Sequence, residues 1–400
     1  MRMKKLLALA MSAVMVLGIL TGCGSSKSSS SGKADSINIL VWEGTWSEDA
    51  FKDFTKKTGI KVNVSYIDNT DTIISKLVEG SADYDVIDLE SAYVKTFVDN
   101  DLLAKLDSKS LTNKKNIADG IPAATGDEKM EYTCPDMAPG YTGIVYNKET
   151  CPIKITKFSD LADPKLKGQV AMVNSTISLY GAALEALGYK ASSKKESEIK
   201  EANELLKKIK TNVKAFVGES AVSQLENGEC SVALCWDYIM LCNDSKDNWD
   251  KFAVADIDSD YEMFCQYWSV PASSEKKSAA EKFINYMLEP DALAKCYKEN
   301  GGVPLLKEDV IKSYLPDGYY DNPAIAEYEK LEKKSWCVAV DDDQISLMDT
   351  YYTELMGEDC DFSLKLMKER NRMEEYYYEK DRGSNKTGEI SRFKRSISKS

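Results

Sequence analysis

Residues able to do chemistry are unevenly supplied in this 400-residue chain. It contains 0 histidines, which excludes Ser-His-Asp and Cys-His catalysis and every metal site that needs imidazole. Asp and Glu together number 65, yet no motif sets two of them in the fixed relation that a carboxylate-based hydrolase needs. Two short stretches stand out instead: Trp42-Glu43-Gly44-Thr45-Trp46 and Glu90-Ser91-Ala92-Tyr93. Each follows an apolar, β-branched run. Open α/β sheets gather ligands at the carboxyl ends of their strands, so both stretches are places to hold a solute.

Cys23 has a chemistry of its own. Arg2, Lys4 and Lys5 form a positive leader, and the apolar run Leu6–Leu20 after them is too short to cross a bilayer comfortably. Leu20-Thr21-Gly22-Cys23 then matches the bacterial lipobox, in which the thiol receives a diacylglyceryl group and the chain is cut just before it. Residues 1–22 are therefore expected to be a lipoprotein signal peptide, with membrane lipid as the partner of Cys23. Residues 23–35 are mostly Ser, Gly and Lys and read as a flexible tether. The location implied is the cell membrane, facing outside the cytoplasm. The other nine of the 10 cysteines include no CxxC pair, and an odd number cannot all pair within one chain. Mostly buried free thiols are expected.

The elements that must position the two stretches read as alternating strands and helices. Ser36–Trp42 is a strand. Ser47-Glu48-Asp49 caps a helix carrying Ala50, Phe51 and Phe54, which Gly59 stops. Residues 60–64 and 85–89 are further strands, with a helix over 70–77 between them. After Pro139-Gly140, residues 141–147 read as a strand crossing into a second domain. Strands over 168–173 and 230–236 and helices over 178–187 and 196–210 follow. Tyr261–Pro271 reads as a return crossing, and 278–288 as a helix with Ala279, Phe283, Ile284 and Met287 on its apolar face. The class is α/β with doubly wound sheets. From Asp361 the chain turns polar, with a solvated helix expected over 364–382 and disorder beyond.

Charge sharpens the picture. The formal total is −13; residues 1–22 carry +3 and residues 361–400 carry +4, which leaves −20 for Cys23–Cys360. So acidic a body lacks the basic footprint that nucleic acid requires, and its field attracts cationic solutes.

The order of several stretches resembles one family. They are Val41-Trp42, Phe54–Val62, Tyr84–Ile87, Phe158–Leu161 with Lys167-Gly168, Ala186–Tyr189, Ala233–Trp236 and Phe283–Leu288. From about Ile37 to about Glu358 the set resembles the spermidine/putrescine-binding proteins of ABC importers, within the type 2 periplasmic-binding-protein fold. The resemblance implies two lobes joined by crossing strands, residues 36–139 with 265–311 and residues 140–264 with 312–360, and a polar tail over 361–400. It implies a solute held in the cleft, no cofactor, no catalysis, and an ABC permease as partner of a monomer. Polyamine ligands of that family lie in a box of rings with carboxylates on their ammonium groups. Trp42, Tyr93, Trp236 and Phe264 fall at or beside box positions, and Trp46 can stand in for the ring absent at Thr45. The family's acidic positions are Gln266, Ser175, Ser178 and Gly44 here, while Glu43, Glu90 and Asp237 are acids nearby; Ser91 and Asn174 complete the expected lining. The resulting expectation is an extracytoplasmic solute-binding lipoprotein that captures a small cationic organic solute of polyamine type. A neutral or zwitterionic solute, or a sensor role on the same fold, are the alternatives.

Overall fold

The computed structural model describes residues 36–42, 44–67, 83–218, 220–236, 246–337 and 342–357. Cys23, the tether, Glu43, the helix expected over 70–77, Asp237 and the tail lie outside them. In chain order the strands are β1 (Ser36–Trp42), β2 (Lys61–Ile67), β3 (Val86–Glu90), β4 (Thr133–Pro135), β5 (Gly140–Asn147), β6 (Val170–Val173), β7 (Val213–Val217), β8 (Val232–Cys235), β9 (Phe252–Val254), β10 (Tyr261–Phe264), β11 (Gln266–Ser269) and β12 (Ser335–Trp336). They form two sheets, one ordered β2-β1-β3-β11-β4 and the other β12-β10-β5-β8-β6-β7, with β9 paired to β5. β1, β2 and β3 are parallel, as are β7, β6 and β8. Such strands are covered on both faces, and the unbroken apolar runs of β6 and β8 are buried throughout.

The helices are α1 (Glu48–Thr58), α2 (Ser91–Asp99), α3 (Thr176–Ala186), α4 (Glu196–Lys210), α5 (Ser220–Glu226), α6 (Lys246–Lys251), α7 (Lys277–Met287), α8 (Pro290–Asn300), α9 (Glu308–Ile311), α10 (Pro323–Glu332) and α11 (Asp342–Met356). α1 ends at Gly59, whose φ of 76° is the left-handed cap a side chain would strain. On one face of the first sheet Phe54 meets Phe283 edge-on at 5.4 Å, each ring contributing about 1.5–3 kcal/mol by burial. The four residues expected on the apolar face of α7 are all buried there. On the opposite face Leu40, Ile87, Leu89 and Tyr267 pack under Val94 and Phe97 of α2. Asp85 fastens the near end of this sheet. Its buried carboxylate accepts from Asn38 N at 2.8 Å, Ser274 Oγ at 2.7 Å and Lys276 Nζ at 3.0 Å.

The chain passes between the sheets at three places. Residues 136–139 lead from β4 to β5. Cys265 alone separates β10 from β11, so the segment expected as one return crossing is two strands in two sheets. Ser91 pins that single residue: its N–H donates to Cys265 O at 2.7 Å, and its Oγ accepts from Cys265 N at 3.3 Å. Leu315, Tyr319 and Tyr320 still pack on the first sheet, whereas Ala324 and Leu331 of α10 belong to the core of the second. In that second core Gly181 of α3 lies under the Trp336 indole, where a Cβ would stand 2.3 Å from ring carbon. None of the seven cysteines among the described residues is in a disulfide, and five of them are buried.

Candidate functional site

Three strand ends of the first sheet line up in one row. Glu90 ends β3 and stands opposite Gln266, the first residue of β11. Asp136 follows β4, and its N–H donates to Gln266 O at 3.3 Å, extending the pairing of Tyr267 with Pro135. Opposed residues on neighbouring strands share a face, so Glu90, Gln266 and Asp136 make a polar row where the chain leaves the sheet. Two residues back, on the same face, Asp88 stands opposite Trp268, and Trp268 opposite Cys134. Trp46, in the turn before α1, covers this second row. Its ring centroid is 4.5 Å from that of Trp268, and its indole N–H donates to Asp88 Oδ2 at 3.1 Å.

Asp88 and Asp136 are 0% and 1% exposed. Asp88 Oδ1 and both carboxyl oxygens of Asp136 are sealed from solvent, and the two carboxyls lie within hydrogen-bonding reach of each other, with the backbone N–H of Trp42 near Asp88 and that of Met137 near Asp136. Burial pushes both carboxyls above the usual carboxylate range, and the charge of Asp88 pushes Asp136 further. Hydrogen bonding to Asp136 and to the Trp46 indole holds Asp88 partly down. Two carboxyls in contact in a dry site cannot both ionise cheaply, so the arrangement favours one proton shared between them.

Asp136 also borders a cavity of about 60 Å³ at the first crossing, between Thr45, Trp46 and Tyr297 of one lobe and Tyr328 and Leu331 of α10. That is room for a few waters or a small head group. The cavity takes in two of the expected site residues, Thr45 and Trp46, and none of Trp42, Glu90, Tyr93, Trp236, Phe264 or Gln266.

A second polar cluster lies in the other lobe, where α3 begins. Ser175 caps that helix, accepting from Ser178 N at 3.2 Å. Ser178 Oγ accepts from Trp236 Nε1 at 3.3 Å and lies 3.1 Å from Ser175 Oγ. Behind them Glu262 of β10 is buried and accepts from Thr142 Oγ1 at 2.5 Å. Burial raises its carboxyl, while hydrogen bonds from Ser178 and Thr142 offset part of the rise. The serines thus stand between Trp236 and a buried acid.

The remaining expected residues fall as follows. Trp42 ends β1 half-buried, packed with Tyr93 of α2 against the face opposite the polar row. Trp42 Nε1 and Gln266 Oε1 are buried without a partner among the described residues. Ser91 Oγ lies 3.7 Å from Cys337 Sγ, a contact between the lobes. Phe264 ends β10 opposite Gly140 and is half-buried. Asn174 accepts from the Tyr352 hydroxyl of α11. Trp46, expected as a ring for the solute, is only 7% exposed and seals the interior of its lobe. Sequence reasoning missed Asp88, Asp136 and Glu262, each an acid inside or just after a buried strand. The one available signal was Asp88 itself, a charge set within Val86-Ile87-Asp88-Leu89 where an apolar run was expected to be covered on both faces.

Comparison with known proteins fits this architecture. A sequence profile of bacterial extracellular solute-binding proteins matches residues 49–327. The spermidine/putrescine-binding periplasmic protein of Salmonella typhimurium is 26% identical over 332 residues, covering 80% of this chain and 91% of that protein. Among solved structures, a lipoprotein of Treponema pallidum superposes with a TM-score of 0.70 at 21% identity, covering 80% of this chain and 99% of that one. The spermidine/putrescine ABC transporter substrate-binding protein of Streptococcus pneumoniae gives 0.66 at 19% identity, covering 84% and 100%. Both structures carry the two-lobed periplasmic-binding-protein fold. With more than half of its 400 residues under the profile, this chain belongs to the bacterial extracellular solute-binding protein family.

Proposed function

We propose that the chain is the lipid-anchored solute receptor of an ABC importer and that its solute is a small organic cation of polyamine type. The observation that carries this reading is the polar row of Glu90, Gln266 and Asp136 at the crossings, backed by a buried acid in each lobe. A desolvated ammonium group needs such compensation. The name of the Salmonella relative, a spermidine/putrescine-binding protein, supports the same solute class.

In this reading the first lobe comprises the sheet built around β1 and the second the sheet built around β5. Trp42 and Trp236 face the solute from opposite lobes with Tyr93 and Phe264 beside them. Glu90 is joined by Glu43 and Asp237 as outer counter-charges. Thr45, Ser91 and Ser175 supply neutral hydrogen bonds. Closure of the lobes buries the solute, and preference of the solute for the closed form drives closure. The closed monomer docks on a membrane permease, and no bond is made or broken. Cys23 carries the lipid that keeps the receptor at the cell surface.

A thermal-shift panel of putrescine, spermidine, amino acids, betaines and sugars tests the solute class. A binder at 100 times its Kd adds about 2.7 kcal/mol of stability. Stabilisation by sugars or amino acids but by no polyamine refutes the cationic reading. For the anchor, Cys23→Ser should abolish incorporation of labelled fatty acid, and undiminished labelling of that variant refutes it.

A further inference from the structure

We infer that Glu262 is a positioning residue of the second lobe: through Ser178 it holds the Trp236 indole at the edge where that lobe meets the solute. The inference rests on the cationic reading above and names what fixes the ring on that side. β6 and β8 are parallel neighbours. Ser175 and Trp236 come after their carboxyl ends, at the edge where open α/β sheets take ligands. Glu262 comes from another strand, standing on β10 opposite Thr142 of β5. The Trp236 ring is half-buried, and its N–H donates to Ser178 Oγ at 3.3 Å. Ser178 is 2% exposed and Glu262 7%, so what these two do for a solute they do through the ring.

Counting protons gives the contact a direction. A hydroxyl has one proton and two lone pairs, and an ionised carboxylate only accepts. Glu262 accepts from Thr142 Oγ1 at 2.5 Å and from Ser178. With its one proton committed there, Ser178 Oγ accepts on its remaining sites. One takes the Trp236 N–H, and the Ser175 hydroxyl, 3.1 Å away, is left to donate to the other. Ser175 Oγ accepts in turn from Ser178 N at 3.2 Å. Every site on the Ser178 hydroxyl is then used, and a buried network satisfied in this way locks its side chains.

The position also accounts for the altered sequence. Ser175 and Ser178 stand where the family resemblance implies acids, and the acid lies one layer deeper, at Glu262. The lobe thus offers a ring held by a carboxylate instead of a carboxylate itself, and a ring face attracts a cation without a charge of its own. An amide at position 262 upsets this order. Its NH2 donates where the carboxylate only accepted, so one of the two hydroxyls must turn its proton away. When Ser178 turns, its proton points to the side from which the Trp236 N–H donates, and the ring loses its anchor.

Trp236 emission and its quenching by acrylamide, read in the unliganded full chain as the difference between each protein and its W236F counterpart, test the link without a solute. E262Q should shift the Trp236 emission and raise its quenching; an unchanged Trp236 signal overturns the inference. Calorimetric titration with putrescine and spermidine then completes a double-mutant cycle. E262Q should weaken binding at least about fivefold in the wild-type background, within the range of a cation–π contact, and by less than about twofold in the W236F background, where the ring it holds is gone. Losses that are equal in the two backgrounds, or absent from both, overturn the inference and leave the cationic reading standing. If no amine binds the wild type, the cationic reading falls and the emission result decides the positioning role alone. If E262Q fails to fold, S178A replaces it in both measurements, with the same outcomes for and against.

Discussion

Asp136→Asn exchanges one carboxyl of a buried pair for an amide of nearly the same shape. In the unliganded protein the amide should be the more stable partner, and increasingly so as pH rises. Burial lifts both Asp88 and Asp136 above the ordinary aspartate value of 3.8, so the folded chain keeps a proton that the unfolded chain has released. Stability from such raised carboxyls is fully present below the unfolded pKa and is lost as pH climbs through the folded one. One retained proton gives about 1.4 kcal/mol per pH unit, hence roughly 3 kcal/mol between pH 5 and 7 while the proton is held. The introduced amide needs no proton, and its N–H can donate to Asp88, a hydrogen bond to a charged group worth about 1.5–3 kcal/mol. Urea unfolding of both proteins at pH 5, 6, 7 and 8 measures the difference, in which groups common to both cancel. The difference should favour D136N and grow with pH. A constant difference, or a D136N protein less stable than wild type at pH 7, refutes the shared proton.

Three other outcomes follow from the geometry. Trp236→Ala removes a half-buried ring and frees Ser178; solute affinity should fall about tenfold, within the 0.5–2 kcal/mol of a cation–π contact, and solute-induced tryptophan fluorescence change should shrink, with equal affinity counting against the ring. Asp85→Ala leaves Lys276 and Ser274 without their buried partner, which should cost about 3–5 kcal/mol in chemical unfolding; a loss below about 1 kcal/mol would mean the clamp is idle. Gly181→Ala would gain about 1 kcal/mol in an open helix, but against Trp336 it should instead cost about 1–3 kcal/mol by overpacking, and a raised melting temperature would contradict the contact.

The periodic parts of the fold were legible in the sequence because burial on one face leaves a pattern. α7 shows it, with every residue of its expected apolar stripe buried. Residues 261–271 show the limit. Their composition reads as one strand, and nothing local marks Cys265 as the point where the backbone changes sheets, since that depends on partners far away in sequence. The site was half legible for the same reason. Trp42 ends β1 and Trp236 comes just after β8, positions a strand pattern can give, whereas the stacking of Trp46 on Trp268 is set by tertiary packing. Asp136 acquires meaning only through its register beside Gln266, and no pattern within one segment encodes register between segments.

The sheet order β2-β1-β3-β11-β4 also fixes a timetable for a chain that is made and exported from its N-terminus. Among the described residues β4 pairs only with β11, and β11 is made after the whole run from β5 to β10. Until residue 269 emerges, β3 offers an open edge and β4 has no partner, so the first lobe cannot finish although its first strands appear earliest. Exposed edges of this kind invite pairing with other chains. The second lobe meanwhile can pair β5, β6, β7, β8 and β10 before the chain returns. Neither lobe is complete when β11 appears, since α10, β12 and α11 of the second lobe come later still, but the polar row at the crossings cannot form before β11 stands between Glu90 and Asp136.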